Sequence, residues 1–119
     1  MIQDPVQPLI AYTHEQGANA TVGPLYRAPA SGGGFPAEYQ NGLFYADWAR
    51  RSVRFAELDA TGTKLVKTSP FGLGFTAGIL SLYEGPDGAL YFVEYGGWFT
   101  GSSKDKLGRI VYDPAAVTP

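Results

Sequence analysis

The chain has 119 residues, 45% of them hydrophobic and 14% aromatic, and carries a formal net charge of -2 with the signs interspersed. That apolar content offsets the entropy of ordering and excludes a disordered chain, and the lack of a basic face excludes a phosphate-neutralising surface, so no nucleic-acid partner is expected. With no cysteine, disulfides, thiolate metal sites and a cysteine nucleophile are excluded as well.

Sixteen glycines and nine prolines cut the chain into short pieces, which favours many strands joined by turns over long helices. The apolar runs are far too short for a membrane-spanning helix, and residues 1–20 show no basic stretch followed by an apolar core. Neither a membrane partner nor a signal peptide is therefore expected.

In chain order the expected strands begin with Leu9–Thr13, an apolar run after Pro8, and Val22–Arg27, between Gly- and Pro-containing stretches. Leu43–Trp48 follows the turn signal Asn41-Gly42 and is rich in aromatics, which fit a pleated surface better than a helix. Ser52–Leu58 and Lys64–Ser69 alternate apolar with polar residues on either side of the turn Asp59-Ala60-Thr61-Gly62. Ala77–Tyr83 and Leu90–Tyr95 flank Gly85-Pro86-Asp87-Gly88, and Arg109–Tyr112 comes last. Residues 28–41 and 96–107 read as long Gly-rich loops, where functional surfaces commonly sit. Residues 114–119 read as a linker, which leaves 1–113 as the structured segment.

The run Leu43-Phe44-Tyr45-Ala46-Asp47-Trp48 aligns with Leu90-Tyr91-Phe92-Val93-Glu94-Tyr95, class for class, at an offset of 47 residues. That period suits the four-stranded blades of a β-propeller. The first repeat takes the Val22, Leu43, Ser52 and Lys64 strands, the second takes those at Ala77, Leu90 and Arg109, and Leu9–Thr13 is left over. The expected fold is all-β: a partial β-propeller of about two four-stranded antiparallel blades, the second lacking its outer strand. Two blades cannot close a ring, because each leaves an apolar face that only another blade covers. Missing blades or copies of the same chain are therefore the expected partners.

Several residues stand out chemically. Asp47 and Glu94 are acids at equivalent repeat positions among aromatics. A buried carboxylate needs donors, so they either tie neighbouring blades and cap loop amides or line a channel mouth and bind sugar hydroxyls or calcium. Acting as a glycosidase pair would require both to face one cleft. Trp98, in the loop after Gly96-Gly97, is the aromatic best placed to stack on a sugar, whereas Trp48 reads as packing between blades. Arg27, Arg50, Arg51, Arg54 and Arg109 are the anion-binding candidates; Arg109, after Gly108, leads them, and Arg50-Arg51 reads as a solvated turn pair. His14, the sole histidine, reads as a hydrogen-bonding group at a strand end more than as a general base. Asn19-Ala20-Thr21 is formally a glycosylation sequon.

A set of ordered motifs spread over residues 9–113 resembles the glucose/sorbosone dehydrogenase family. Tyr12-Thr13-His14 with Thr21-Val22-Gly23-Pro24-Leu25-Tyr26-Arg27 is similar to the family's Tyr-x-His and Thr-Gly-Gly-x-Val-Tyr-Arg-Gly. Phe35-Pro36-Ala37-Glu38-Tyr39 with Gly42-Leu43-Phe44-Tyr45-Ala46-Asp47 is similar to Phe-Pro-x-x-Tyr-x-Gly-x-Phe-Phe-x-x-Asp. Gly85-Pro86-Asp87-Gly88-Ala89-Leu90-Tyr91 and Gly108-Arg109-Ile110 supply two further matches. The resemblance is to the C-terminal blades of a six-bladed propeller. It implies a periplasmic or secreted parent that, in active members, binds pyrroloquinoline quinone (PQQ) over calcium and oxidises aldoses or related sugars.

Arg109 is the residue expected to contact the quinone or the substrate, and Trp98, Asp47 and Glu94, on their own chemistry, are those expected at the sugar. The family's catalytic histidine and most of its quinone and calcium ligands lie upstream of the matched region. Catalytic and metal residues are thus unassigned here, and the segment alone is expected to be inactive. Val111 stands where a second arginine often sits, and Val22 and Ala28 replace glycines of the pattern. The alternative expectation is a non-catalytic binding or scaffold module, with three copies of the two-blade unit completing a six-bladed ring as a homotrimer.

Overall fold

Alternating side chains in short, turn-bounded runs produce seven strands: β1 (Ala20–Leu25), β2 (Leu43–Asp47), β3 (Ser52–Leu58), β4 (Leu65–Gly72), β5 (Gly78–Glu84), β6 (Leu90–Tyr95) and β7 (Lys106–Ile110). They form two antiparallel sheets in simple sequence order, β1-β2-β3-β4 and β5-β6-β7. The computed structural model describes residues 8–72, 75, 77–96 and 105–114. Among these there is no α-helix, and a 3-10 turn at Ala37–Tyr39 sits in the long connection between β1 and β2. Neither sheet closes on itself.

Two expected strands need correction. Leu9–Thr13 joins no sheet: among the described residues it has no strand assignment, and Leu9, Ile10 and Tyr12 lie beside Val22, Leu43 and Tyr45 over the first sheet's face. The free edge of β1 holds Pro24 and a register shift between Val22 and Leu25, so it offers a broken row of backbone donors to any added strand. The last strand starts at Lys106 rather than Arg109, inside the expected Gly-rich loop. Its register sets Gly108 opposite Phe92, and the Phe92 ring fills the space that a Cβ on Gly108 would occupy, 2.3 Å away. A glycine that reads as loop is here the floor under an aromatic ring.

The repeat is realised in space with one consistent phase. Across β2 and β3, Phe44 faces Phe55 and Ala46 faces Val53, while Tyr45 pairs with Arg54 and Asp47 with Ser52. The first set is buried against Ile79, Leu82, Leu90 and Phe92 of the second sheet, with Tyr26 and Phe35 completing the core. By the period of two, Leu90, Phe92 and Glu94 point toward the first sheet, and Tyr91, Val93 and Tyr95 point away from it. Each sheet therefore has an inner face at the sheet–sheet contact and an outer face. The Trp48 indole N–H donates to the carbonyl of Tyr95, its own repeat mate 47 residues on, at 3.1 Å.

That indole lies flat against Gly78, where a Cβ would stand 2.3 Å from Trp48 Cδ1. The ring is held by its hydrogen bond to Tyr95. Gly78→Ala is expected to cost about 1–3 kcal/mol by over-packing, read as a lower urea midpoint. An unchanged midpoint would show that the two sheets are not clamped at this point.

Candidate functional site

The outer face of the first sheet is mixed: Val22 and Leu43 lie beside Leu9 and Ile10 at one side, and a polar cleft lies at the other. Tyr45 and Asp47 on β2, Ser52 and Arg54 on β3 and Thr68 on β4 form its floor, with residues 10–12, Gln16 and Arg50 around it, enclosing about 360 Å³. Alternation along β2 and β3 produces this floor directly, since residues that skip the core must share the opposite face.

Asp47 is 5% exposed and fully engaged. Its Oδ2 accepts the Tyr12 hydroxyl at 2.8 Å, and its Oδ1 accepts the backbone N–H of Arg50 at 3.0 Å. The carboxylate thus caps the β2–β3 turn and anchors the segment before β1 to the sheet. Arg54 is half-buried. Its Nε donates to the Tyr45 hydroxyl at 3.3 Å and its Nη2 to Thr68 Oγ1 at 3.2 Å.

Burial, and then the hydrogen bond to the Asp47 carboxylate, push the Tyr12 hydroxyl up to about 12. Because the folded value lies above the unfolded one near 10, the protonated phenol stabilises the fold fully below pH 10. That contribution is lost as pH rises from 10 through 12. Burial also raises the Tyr26 and Tyr39 hydroxyls, so ultraviolet titration of tyrosinate should show a late phase whose amplitude falls by one tyrosine in Tyr12→Phe. An unchanged late amplitude in that variant would show that Tyr12 does not hold Asp47.

Glu94, the repeat mate of Asp47, has the other environment. It is 2% exposed on the inner face of the second sheet, where Oε2 accepts the Ala77 N–H at 2.9 Å and Oε1 stands 3.7 Å from Lys106 Nζ. Asp47 and Glu94 therefore point the same way from successive sheets, with the first sheet between them, and they do not face one cleft. Arg109 is exposed on the outer face of the second sheet, its Nη1 3.1 Å from Asp87 Oδ2, which also accepts the Tyr91 hydroxyl at 2.9 Å. The Ala89 N–H, the Tyr91 hydroxyl and Arg109 together hold the Asp87 carboxyl below its usual range. His14 is exposed in a turn closed by amides donating to the Thr13 carbonyl. Trp98 lies outside the described residues.

Among the described residues no group of three or more His, Asp or Glu side chains gathers as a calcium ligand set. The two oxygens of Asp47 are engaged, and the Arg109 charge is answered by Asp87.

Reading the strands one by one names Arg54 as an anion-binding candidate but does not group it with Tyr45 and Thr68. A signal for that grouping exists in the repeat: Tyr45 and Arg54 stand where the second sheet has Phe92 and Gly108, so the polarity of this face breaks the repeat at those positions. No family model, curated protein or solved structure matches the chain; the likeness to sugar dehydrogenases rests on the ordered motifs alone.

Proposed function

We propose that this chain is a stacking segment of a β-propeller of the sugar dehydrogenase kind, two successive blades that supply architecture, while sugar oxidation belongs to the parent ring. The observation that carries the reading is the 47-residue repeat realised as two sheets stacked in the same sense, with Trp48 bonded to its repeat mate Tyr95. A unit that repeats by translation ends in a face made for the next unit. The outer face of the second sheet has this character: Tyr83 is 65% and Leu107 73% exposed there, and Leu80 is exposed beside them.

The first sheet's outer face also offers apolar surface to a neighbouring blade, with Val22 74% exposed beside Leu43. We take the parent's next blade, over a self-assembled trimer, as the cover of the second sheet. The expected result is binding of an anilinonaphthalene dye by the folded chain, at least halved by Tyr83→Lys with Leu107→Lys at unchanged circular dichroism. Absence of dye binding would show a face that needs no cover and would overturn the stacking reading, and a stable trimer by light scattering would reinstate the ring of three copies. With PQQ, calcium and aldoses supplied, no dye reduction by this chain is expected; turnover would move the chemistry into the segment itself.

A further inference from the structure

We propose that the free edge of β7, continued through Val111 and Tyr112, is a docking site for one extended strand of the parent polypeptide, paired antiparallel and carrying a large apolar side chain into the groove beside Phe71. The source of that strand rests on the propeller reading, whereas the edge and the groove belong to this chain.

The two sheets end in four edges, β1, β4, β5 and β7. An edge strand presents unpaired backbone donors and acceptors, and folded proteins blunt such edges with proline or irregular pairing. β1 holds Pro24 and a register shift, β4 holds Pro70 and pairs with two shifts, and the β5 ladder shifts between Ile79 and Ser81. β7 has neither device: Lys106 to Ile110 contain no proline and pair with β6 in unbroken register. The charges it carries are answered within the chain, Lys106 by Glu94 and Arg109 by Asp87. Of the four edges, β7 is the one left ready for pairing.

The repeat shows what that edge lacks. Leu43 pairs with Ala56 and Asp47 with Ser52, while their mates Leu90 and Glu94 pair with Ile110 and Lys106. Ser52–Ala56 of β3 therefore corresponds to the whole of β7. β3 runs two residues further, through Glu57 and Leu58, which have no partner on β2 and pair with Lys67 and Leu65 of β4. Their counterparts Val111 and Tyr112 are exposed and outside any strand. The second sheet stops short by the two residues that only a fourth strand would hold.

The groove fixes the chemistry of that strand. Ile110 packs against the core on the side of the first sheet, so by alternation a residue opposite it on an added strand faces the first sheet as well. There Phe35, Tyr39 and Phe71 line a groove of about 260 Å³, with Val111 and Tyr112 at its other side. Main-chain pairing supplies affinity in this mode of recognition, and the groove selects a large apolar side chain.

The test is a titration of the full chain with a synthetic peptide of residues 63–72, which contains the β4 sequence, followed by two-dimensional NMR and amide exchange. A second peptide carries Thr68→Leu, because Thr68 pairs with Ala56, the counterpart of Ile110. Saturable shifts and slowed exchange are expected along residues 106–112, with the Thr68→Leu peptide several-fold tighter. The same peptide N-methylated throughout keeps the side chains without the donors and should bind at least tenfold more weakly. Val111→Lys with Tyr112→Lys should weaken binding several-fold at unchanged circular dichroism, since both lie beyond the β6–β7 ladder. Tyr83→Lys, on the outer face of the second sheet, should leave it unchanged.

No saturable binding, equal binding of the N-methylated peptide, or shifts confined to residues 52–58 would overturn the proposal. Those results leave the stacking reading standing, because that reading is tested separately by the dye at Tyr83 and Leu107. Loss of binding in Tyr83→Lys would move the peptide to the outer face and also overturn the edge assignment. A stable dimer by light scattering, with the amides of residues 106–112 already protected, would give the edge to a second copy of the chain instead. Equal binding of the two unmethylated peptides would overturn the apolar assignment of the groove.

Discussion

Phe44→Ala should lower the unfolding free energy by about 3–5 kcal/mol. Phe44 is fully buried, with ring centroids of Phe71 at 4.7 Å, Phe55 at 4.9 Å, Tyr26 at 5.7 Å and Phe35 at 5.8 Å. It is the hub of the cluster that joins β2 and β3 to the loop after β1. Truncation removes the buried area and leaves a cavity among rings that cannot all collapse inward, since Tyr26 is tethered at its hydroxyl. Against a total of about 5–15 kcal/mol for a domain, such a loss brings the chain close to unfolding at room temperature. Urea titration checks it. The repeat mate supplies the control: Tyr91→Ala, on the outer face of the second sheet, is expected to cost no more than about 1 kcal/mol. Equal costs at the two positions would mean that the outer face of the second sheet is buried in solution.

Tyr26→Phe is expected to cost about 2–4 kcal/mol although it removes a single oxygen. The hydroxyl is buried and bonded twice: it donates to the Gly88 carbonyl at 2.5 Å and accepts the Phe35 N–H at 2.8 Å. Without it, a buried carbonyl and a buried N–H both lose a partner, each costing about 1–3 kcal/mol. The Phe ring itself would still stack on Phe35, whose centroid is 4.9 Å away, so packing and hydrogen bonding are separated by this one change. Tyr26 connects the loop after β1 to the turn before β6, so hydrogen exchange should quicken at the Phe35 amide beyond any global destabilisation. A variant within about 0.5 kcal/mol of the parent would show that water reaches the site.

Much of the layout was legible before any coordinates. The class of each strand followed from aromatic and β-branched runs with period two, and the partition into four strands and three followed from the 47-residue offset. Both rest on local chemistry: a run such as Leu43–Asp47 reads as a strand because its side chains fit a pleat, and Gly-Pro-Asp-Gly turns the chain wherever it occurs. Leu9–Thr13 shows the limit of that logic. Its apolar pattern is that of a strand, but a strand needs an edge with free donors, and the edge of β1 is interrupted. Lys106 and Leu107 show the converse, being drawn into β7 by the register that seats Gly108 under Phe92.

The site was less legible, for a geometric reason. Asp47 and Glu94 are equivalent in sequence, and their equivalence places them on the same side of successive sheets. One consequently faces a cleft and the other the sheet–sheet interface. Arg109 reads from the sequence as an anion-binding candidate, and only the fold sets it 3.1 Å from Asp87 Oδ2.

By itself the sequence determined that this protein is all-β, where its turns fall and that its strands come in two related groups, because these depend on residues a few positions apart. Only the tertiary structure decided which face of each sheet is buried, which carboxylates are already satisfied, and that Arg54 stands in a cleft with only neutral acceptors. Those outcomes depend on residues brought together from distant strands, whose pairing is set by register and packing across the whole chain.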